Sequence, residues 1–216
     1  MSAPLVRELL VATRSEGKLR ELMHMLEAAG LRGVTLPEAG IALTADEDSI
    51  ECYDTFEENA LAKARWFSAR SGGLAVLADD SGLSVDALGG APGVRSKRWA
   101  LATGLHGLAL DAANNATLVR EIAPFADRRA RYVCVAAIVG PDVEMVARGE
   151  CVGRMLDSPS GTSGFGYDPY FFSEELGMSF GVATIEAKER VSHRGRATHA
   201  VLEQYAALRR ARASHG

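Results

Sequence analysis

Asp79 and Asp80 stand side by side in the stretch LADDSGL, directly after an apolar run fit for a sheet interior. A carboxylate withdrawn from water is costly unless something pairs with it. The acids therefore either cap the next turn in solvent or hold a cation. Mg2+ takes oxygen ligands and keeps several waters, so its site needs only one or two carboxylates together with substrate phosphates. Asp-Ser-Gly, with Ser81 third in DDSG, is also good turn chemistry. Adjacent acids do not form the DxDx[TV] arrangement of an aspartyl-phosphate phosphatase.

Four other groupings carry comparable chemistry. TRSEGK, which runs Thr13, Arg14, Ser15, Glu16, Gly17, Lys18, lies between a strand and a helix, where unpaired backbone N–H groups and the helix dipole favour an anion. Lys18 either adds a full positive charge there or stands exposed on a solvated first turn. The stretch is not a Walker A loop, since Ala12 and Leu19 occupy positions that need Gly and Ser or Thr. In TFEENALAKARWF, a rotation of about 100° per residue puts Phe56, Asn59, Ala60, Lys63 and Phe67 on one helical face. Lys63 either snorkels to the surface along its stem or points with Asn59 into a polar cavity at the core's edge. Just upstream, Asp46, Glu47, Asp48 and Glu51 read as a solvated acidic loop from which one carboxylate could reach a metal.

In SGTSGFGYDPYFF, glycines surround Phe165, Gly166, Tyr167 and Asp168. A flat aromatic beside a hydrogen-bonding acid is what reading a nucleobase requires; the alternative is a Gly-rich turn feeding a core strand. KERVSHRGRA gathers Lys188, Ser192, His193 and Arg194 just before the last helix, either as converging donors or as a surface basic cluster.

The elements that must position these groups follow from periodicity. LLVAT, residues 9–13, predicts a buried strand, and the following segment has Leu19, Leu22, Met23 and Leu26 at helical spacing with Gly30 as a stop. A second helix is expected from about Thr55 to Arg70, opened by Thr55 and Glu58 in capping-box relation. Strand signals recur at 74–78, 83–85, 132–139 and 144–147, with a helix near 115–122 and a closing helix from Arg196 that sets Ala197, Val201 and Leu208 on one face. Early alternation and later clustering of strands predict an α/β domain with a mixed, strongly twisted central sheet.

The totals bound the rest. A chain of 216 residues with 47% hydrophobic and 24% charged side chains is expected to form one soluble globular domain over 1–216. Its net charge of −4 lacks the basic footprint of a nucleic-acid binder, and a small anionic ligand fits better. Three cysteines without CxxC spacing argue against a disulfide framework or a zinc ribbon and for the cytoplasm. Arg7 and Glu8 break what would be a signal-peptide core, and no run approaches the ~18 residues of a membrane span.

Taken in order, ADDSGL, LGGAPG, GFGYDP and SHRG resemble the inosine triphosphate pyrophosphatase family, the Ham1-like purine nucleoside triphosphate pyrophosphatases, from Leu9 to about Arg196. The resemblance implies an elongated α/β fold with two lobes around a nucleotide cleft, usually a homodimer, and Mg2+-dependent hydrolysis of ITP, dITP and XTP to monophosphate and pyrophosphate. It implies that Asp80 is proton acceptor and metal ligand, Asp79 its support, Glu51 the second metal ligand and Ser81 a substrate contact. Thr13 to Lys18 match the triphosphate loop, Lys63 a further phosphate-side lysine, Phe165 to Asp168 the base-binding segment, and Lys188, His193 and Arg194 the purine-reading group. The family commonly has Asn where Ser15 stands, in a TGN-like triplet that here reads TRS. Two rivals are a Maf-like nucleotide pyrophosphatase, whose SPRR-type loop is missing, and a purine-nucleotide sensor without catalysis, which should lack a metal ligand.

Overall fold

The protein is described by a computed structural model over residues 8–214; the amino-terminal residues 1–7 lie outside the described ones. Two compact units divide the chain, one comprising 8–80, 135–148 and 197–214, the other 81–134 and 149–196.

In the first unit the apolar run LLVA forms β1 (Glu8–Val11), which pairs in parallel with β2 (Arg32–Thr35) and with the start of β3 (Val76–Val85), Leu10 lying opposite both Val34 and Val76. Parallel strands covered on both faces need continuous apolar sequence, and Leu9 through Ala12 are fully buried. Ser15 caps α1 (Glu16–Ala28), its hydroxyl accepting the Lys18 N–H at 3.4 Å, and Gly30 follows in the left-handed region. Thr55 caps α2 (Phe56–Ser68) by accepting the Glu58 N–H, and its own hydroxyl donates to the Glu58 carboxylate at 2.7 Å. The core of this unit joins Leu10, Val34, Phe67, Val76, Val135 and Val139.

The second unit contains α3 (Gly107–Ile122), much of β4 (Arg129–Gly140) and β5 (Val143–Met155), then β6 (Phe171–Ser173), β7 (Met178–Ser179) and α4 (Ile185–Val191). Its core collects Leu83, Val85, Leu118, Ile122, Tyr132, Phe171 and Phe180. The closing helix α5 spans His193–Ala213. In hydrogen-bonded order the strands run β2-β1-β3-β4-β5-β6-β7, parallel at the β1 end and antiparallel through β5, β6 and β7. The expected α/β class with a mixed central sheet is what forms.

Three local expectations need correcting. DDSG does not end a strand; β3 runs through it as one element where two were expected, and partners distant in sequence meet the two acids. His193 and Arg194 lie in the first turn of α5 rather than before it. Gly195 permits this, since a Cβ there would strike the Glu189 carbonyl at the close approach of α4 to α5. Finally, β2, β6 and β7 are too short for a periodic signal, and α3 begins well before the expected 115.

Candidate active site

Consecutive residues of a strand point to opposite faces, so β3 sends Asp79 and Asp80 to different surroundings within one unit. The Asp79 carboxylate, fully buried, meets the Lys18 ammonium of α1 at 3.1 Å. Asp80, 7% exposed, accepts the Asn59 Nδ2 of α2 at 3.0 Å. Burial pushes the Asp80 carboxyl up; Lys18 and Lys63 pull it down, Glu51 pushes it up again, and the net direction is upward. Its neutral form is therefore favoured more than it is for a carboxyl in water.

Lys63 does not snorkel out. It is buried on α2 and ion-paired with Glu51. Burial lowers its proton affinity, but Glu51, Asp79 and Asp80 outweigh that and hold the ammonium above its ordinary value. Lys18, Glu51, Asn59, Lys63, Asp79 and Asp80 thus form one group of three acids, two cations and an amide. Asn59, the amide inside an apolar stripe, points with Lys63 into this polar group, one of the two expectations for that face; besides Asp80 it bonds both backbone groups of Tyr53. Among the described residues no three His, Cys, Asp or Glu side chains gather into a ready-made metal centre. The Asp48 side chain lies outside the described ones.

The TRSEGK residues divide by role. Thr13 Oγ1 accepts the Ser15 N–H, and Ser15 is the cap; Glu16 is exposed in the first turn of α1, and Gly17 is buried. Arg14 forks onto the Glu47 carboxylate at 2.7 and 3.0 Å and also donates to the Ile41 carbonyl, so its guanidinium holds the loop to the acidic segment rather than standing open.

Within the second unit, the buried Lys188 of α4 pairs with the buried Asp168 at 2.6 Å. The same Asp168 oxygen accepts the Phe165 N–H at 2.8 Å. Gly164 must be glycine: its φ is +77°, and a Cβ would collide with the Asp168 carboxylate. Lys188 Nζ lies 4.9 Å and the Arg194 guanidinium 5.4 Å from the Phe165 ring centroid, both within cation–π range. Arg194 donates to Ser81 Oγ at 2.8 Å, and His193 stacks on Tyr132 at 4.4 Å and 5°. Tyr132, a residue of this unit's core, is the face on which His193 rests. Tyr167 instead lies in the core, its hydroxyl donating to the Ser96 carbonyl at 2.8 Å. Burial, with Asp111 and Glu121 adding to it, pushes that phenol well above its ordinary value. The second group is therefore Ser81, Phe165, Asp168, Lys188, His193 and Arg194: an aromatic face with two cations beside it and a buried acid ordering them.

The sequence pattern of the Ham1 family matches residues 9–204. The dITP/XTP pyrophosphatase of Bordetella parapertussis is 43% identical over 204 residues, covering 93% of this chain and 92% of that protein. The Ham1 protein of Staphylococcus aureus superposes with a TM-score of 0.76 at 31% identity, over 93% of this chain and 98% of its own. A nucleoside-triphosphatase / dITP/XTP pyrophosphatase of Mycobacterium abscessus gives 0.66 at 41% identity, over 90% and 98%.

Proposed function

Since the chain belongs to the Ham1 family, we propose that it hydrolyses the non-standard purine nucleotides ITP, dITP and XTP to the nucleoside monophosphate and pyrophosphate, clearing them from the precursor pool. The observation that carries this reading is the pair of cations, Lys188 and Arg194, beside the Phe165 ring. Hypoxanthine and xanthine present an acceptor at position 6, whereas adenine presents an amino donor. Guanidinium and ammonium groups donate and cannot accept, so they favour the first and face the second donor against donor.

The phosphate chemistry falls to the other group. Lys18, Lys63 and the N-terminus of α1 bind the triphosphate and stabilise the leaving pyrophosphate. Asp80 orients a water and accepts its proton as the water oxygen bonds to the α-phosphorus and the α–β bridging bond breaks. Its raised proton affinity suits that task. Asp79 holds Lys18 in place. Glu51 and Asp80 are hard oxygen donors, the donor set Mg2+ prefers, and they would hold it. When bound there, Mg2+ supplies charge to the phosphate oxygens. A cytoplasmic location, supported by three cysteines outside any disulfide, and a homodimer, supported by the family resemblance, complete the reading.

The products test it. Phosphorus NMR of an ITP digest with Mg2+ is expected to show IMP and pyrophosphate in equal amounts, with no turnover after chelation by EDTA. IDP and orthophosphate as products would contradict the assignment of the cleaved bond.

A further inference from the structure

We infer that Asp111 and Asn115, one turn apart on α3, are positioning residues for purine recognition that act through the backbone of Gly166. The inference rests on the reading of Phe165 to Asp168 as the base-binding segment. The Gly166 N–H donates to Asp111 Oδ2 at 2.9 Å, and the Gly166 carbonyl accepts from Asn115 Nδ2 at 2.9 Å. Both hydrogen-bonding groups of one loop residue are thus held by one helix face, the face that an i, i+4 spacing creates.

The residue types fit the task. A carboxylate only accepts, so it suits an N–H. The second Asn115 Nδ2 proton goes to the Asp111 carbonyl at 2.9 Å, which fixes the amide orientation because both its partners are acceptors. Asn115 is buried, 7% exposed. Gly166 itself sits at φ +62°, a conformation without a strong intrinsic hold, so external bonds must fix it.

The same helix braces the neighbouring turn. Asn114 Nδ2 donates to the Lys97 carbonyl and its Oδ1 accepts the Ala100 N–H, while Tyr167, the residue after Gly166, donates to the Ser96 carbonyl just before Lys97. Phe165 is therefore held from two sides. Asp168 bonds its N–H, and α3 bonds the next peptide. A recognition ring must be placed to within a fraction of an ångström to discriminate, and α3 supplies that placement without being assigned any contact with the nucleotide.

The test is steady-state kinetics on ITP and ATP for Asp111→Ala, Asp111→Asn and Asn115→Ala, with thermal melts of each. For Asp111→Ala the expected result is an ITP KM raised about tenfold at nearly constant kcat, with the preference over ATP falling by about the same factor. Asp111→Asn retains an acceptor oxygen for the Gly166 N–H and is expected to recover to within about threefold of wild type. Asn115→Ala should shift selectivity in the same direction, and it decides the question if Asp111→Ala does not fold. An alanine variant with wild-type KM and selectivity, or an asparagine variant as impaired as alanine, overturns the positioning role. A wild-type enzyme that does not prefer ITP to ATP would instead remove the base-reading premise, an outcome separable from the first.

Discussion

Burial raises the proton affinity of Asp80 even with Lys18 and Lys63 nearby, and that direction has a consequence for stability. An acid whose folded-state pKa lies above its unfolded value contributes stability that is present below the unfolded value and lost as pH rises through the folded one. Ionising Asp80 in the metal-free protein thus costs stability as pH rises. Asp80→Asn should remove that cost while keeping an oxygen for the Asn59 amide. The expected outcome is a melting temperature at or above wild type together with a turnover loss on the order of 10² to 10⁴; a melt and an ITP assay on the same sample check both. The acidic pair was legible in DDSG, but its setting was not. Turn propensity is local, whereas Lys18, Asn59 and Lys63 reach β3 from other elements. Ser15, where the family commonly has Asn, caps α1 through its hydroxyl.

At the scale of elements, the loop before α1 and the acidic turn at Ala45–Ser49 are tied by the Arg14–Glu47 fork. Glu51, the proposed metal ligand, follows two residues after that turn. Bidentate guanidinium–carboxylate pairs fix geometry as well as charge, so the fork sets how the phosphate loop and the Glu51 segment lie together. Arg14→Ala and Glu47→Gln should therefore raise KM for ITP and ATP alike, by about three- to tenfold, and raise the Mg2+ concentration for half-maximal rate. Mg2+ titrations at fixed substrate check this; a change confined to ITP would place Arg14 at the base instead. Helix caps such as Thr55 were readable because a cap and its partner are three residues apart. The start of α5 was not, since Gly195 reads as a breaker until its contact with Glu189 is seen.

Across the whole molecule, two groups of buried charge are each ordered within one compact unit, and the boundary between the units falls between Asp80 and Ser81. Motif order along the sequence pointed to both groups, while the bracing residues Asp111 and Asn115 carry no motif and become visible only through their partners. The central claim is that the donor-only group at Lys188 and Arg194 selects an acceptor at position 6 of the purine. Measuring kcat/KM for ITP and for ATP at saturating Mg2+ tests it most directly. The expected result is a preference for ITP on the order of 10³ or more, the scale at which unpaired buried donors reject a mismatched ligand, and a ratio within about threefold would contradict it.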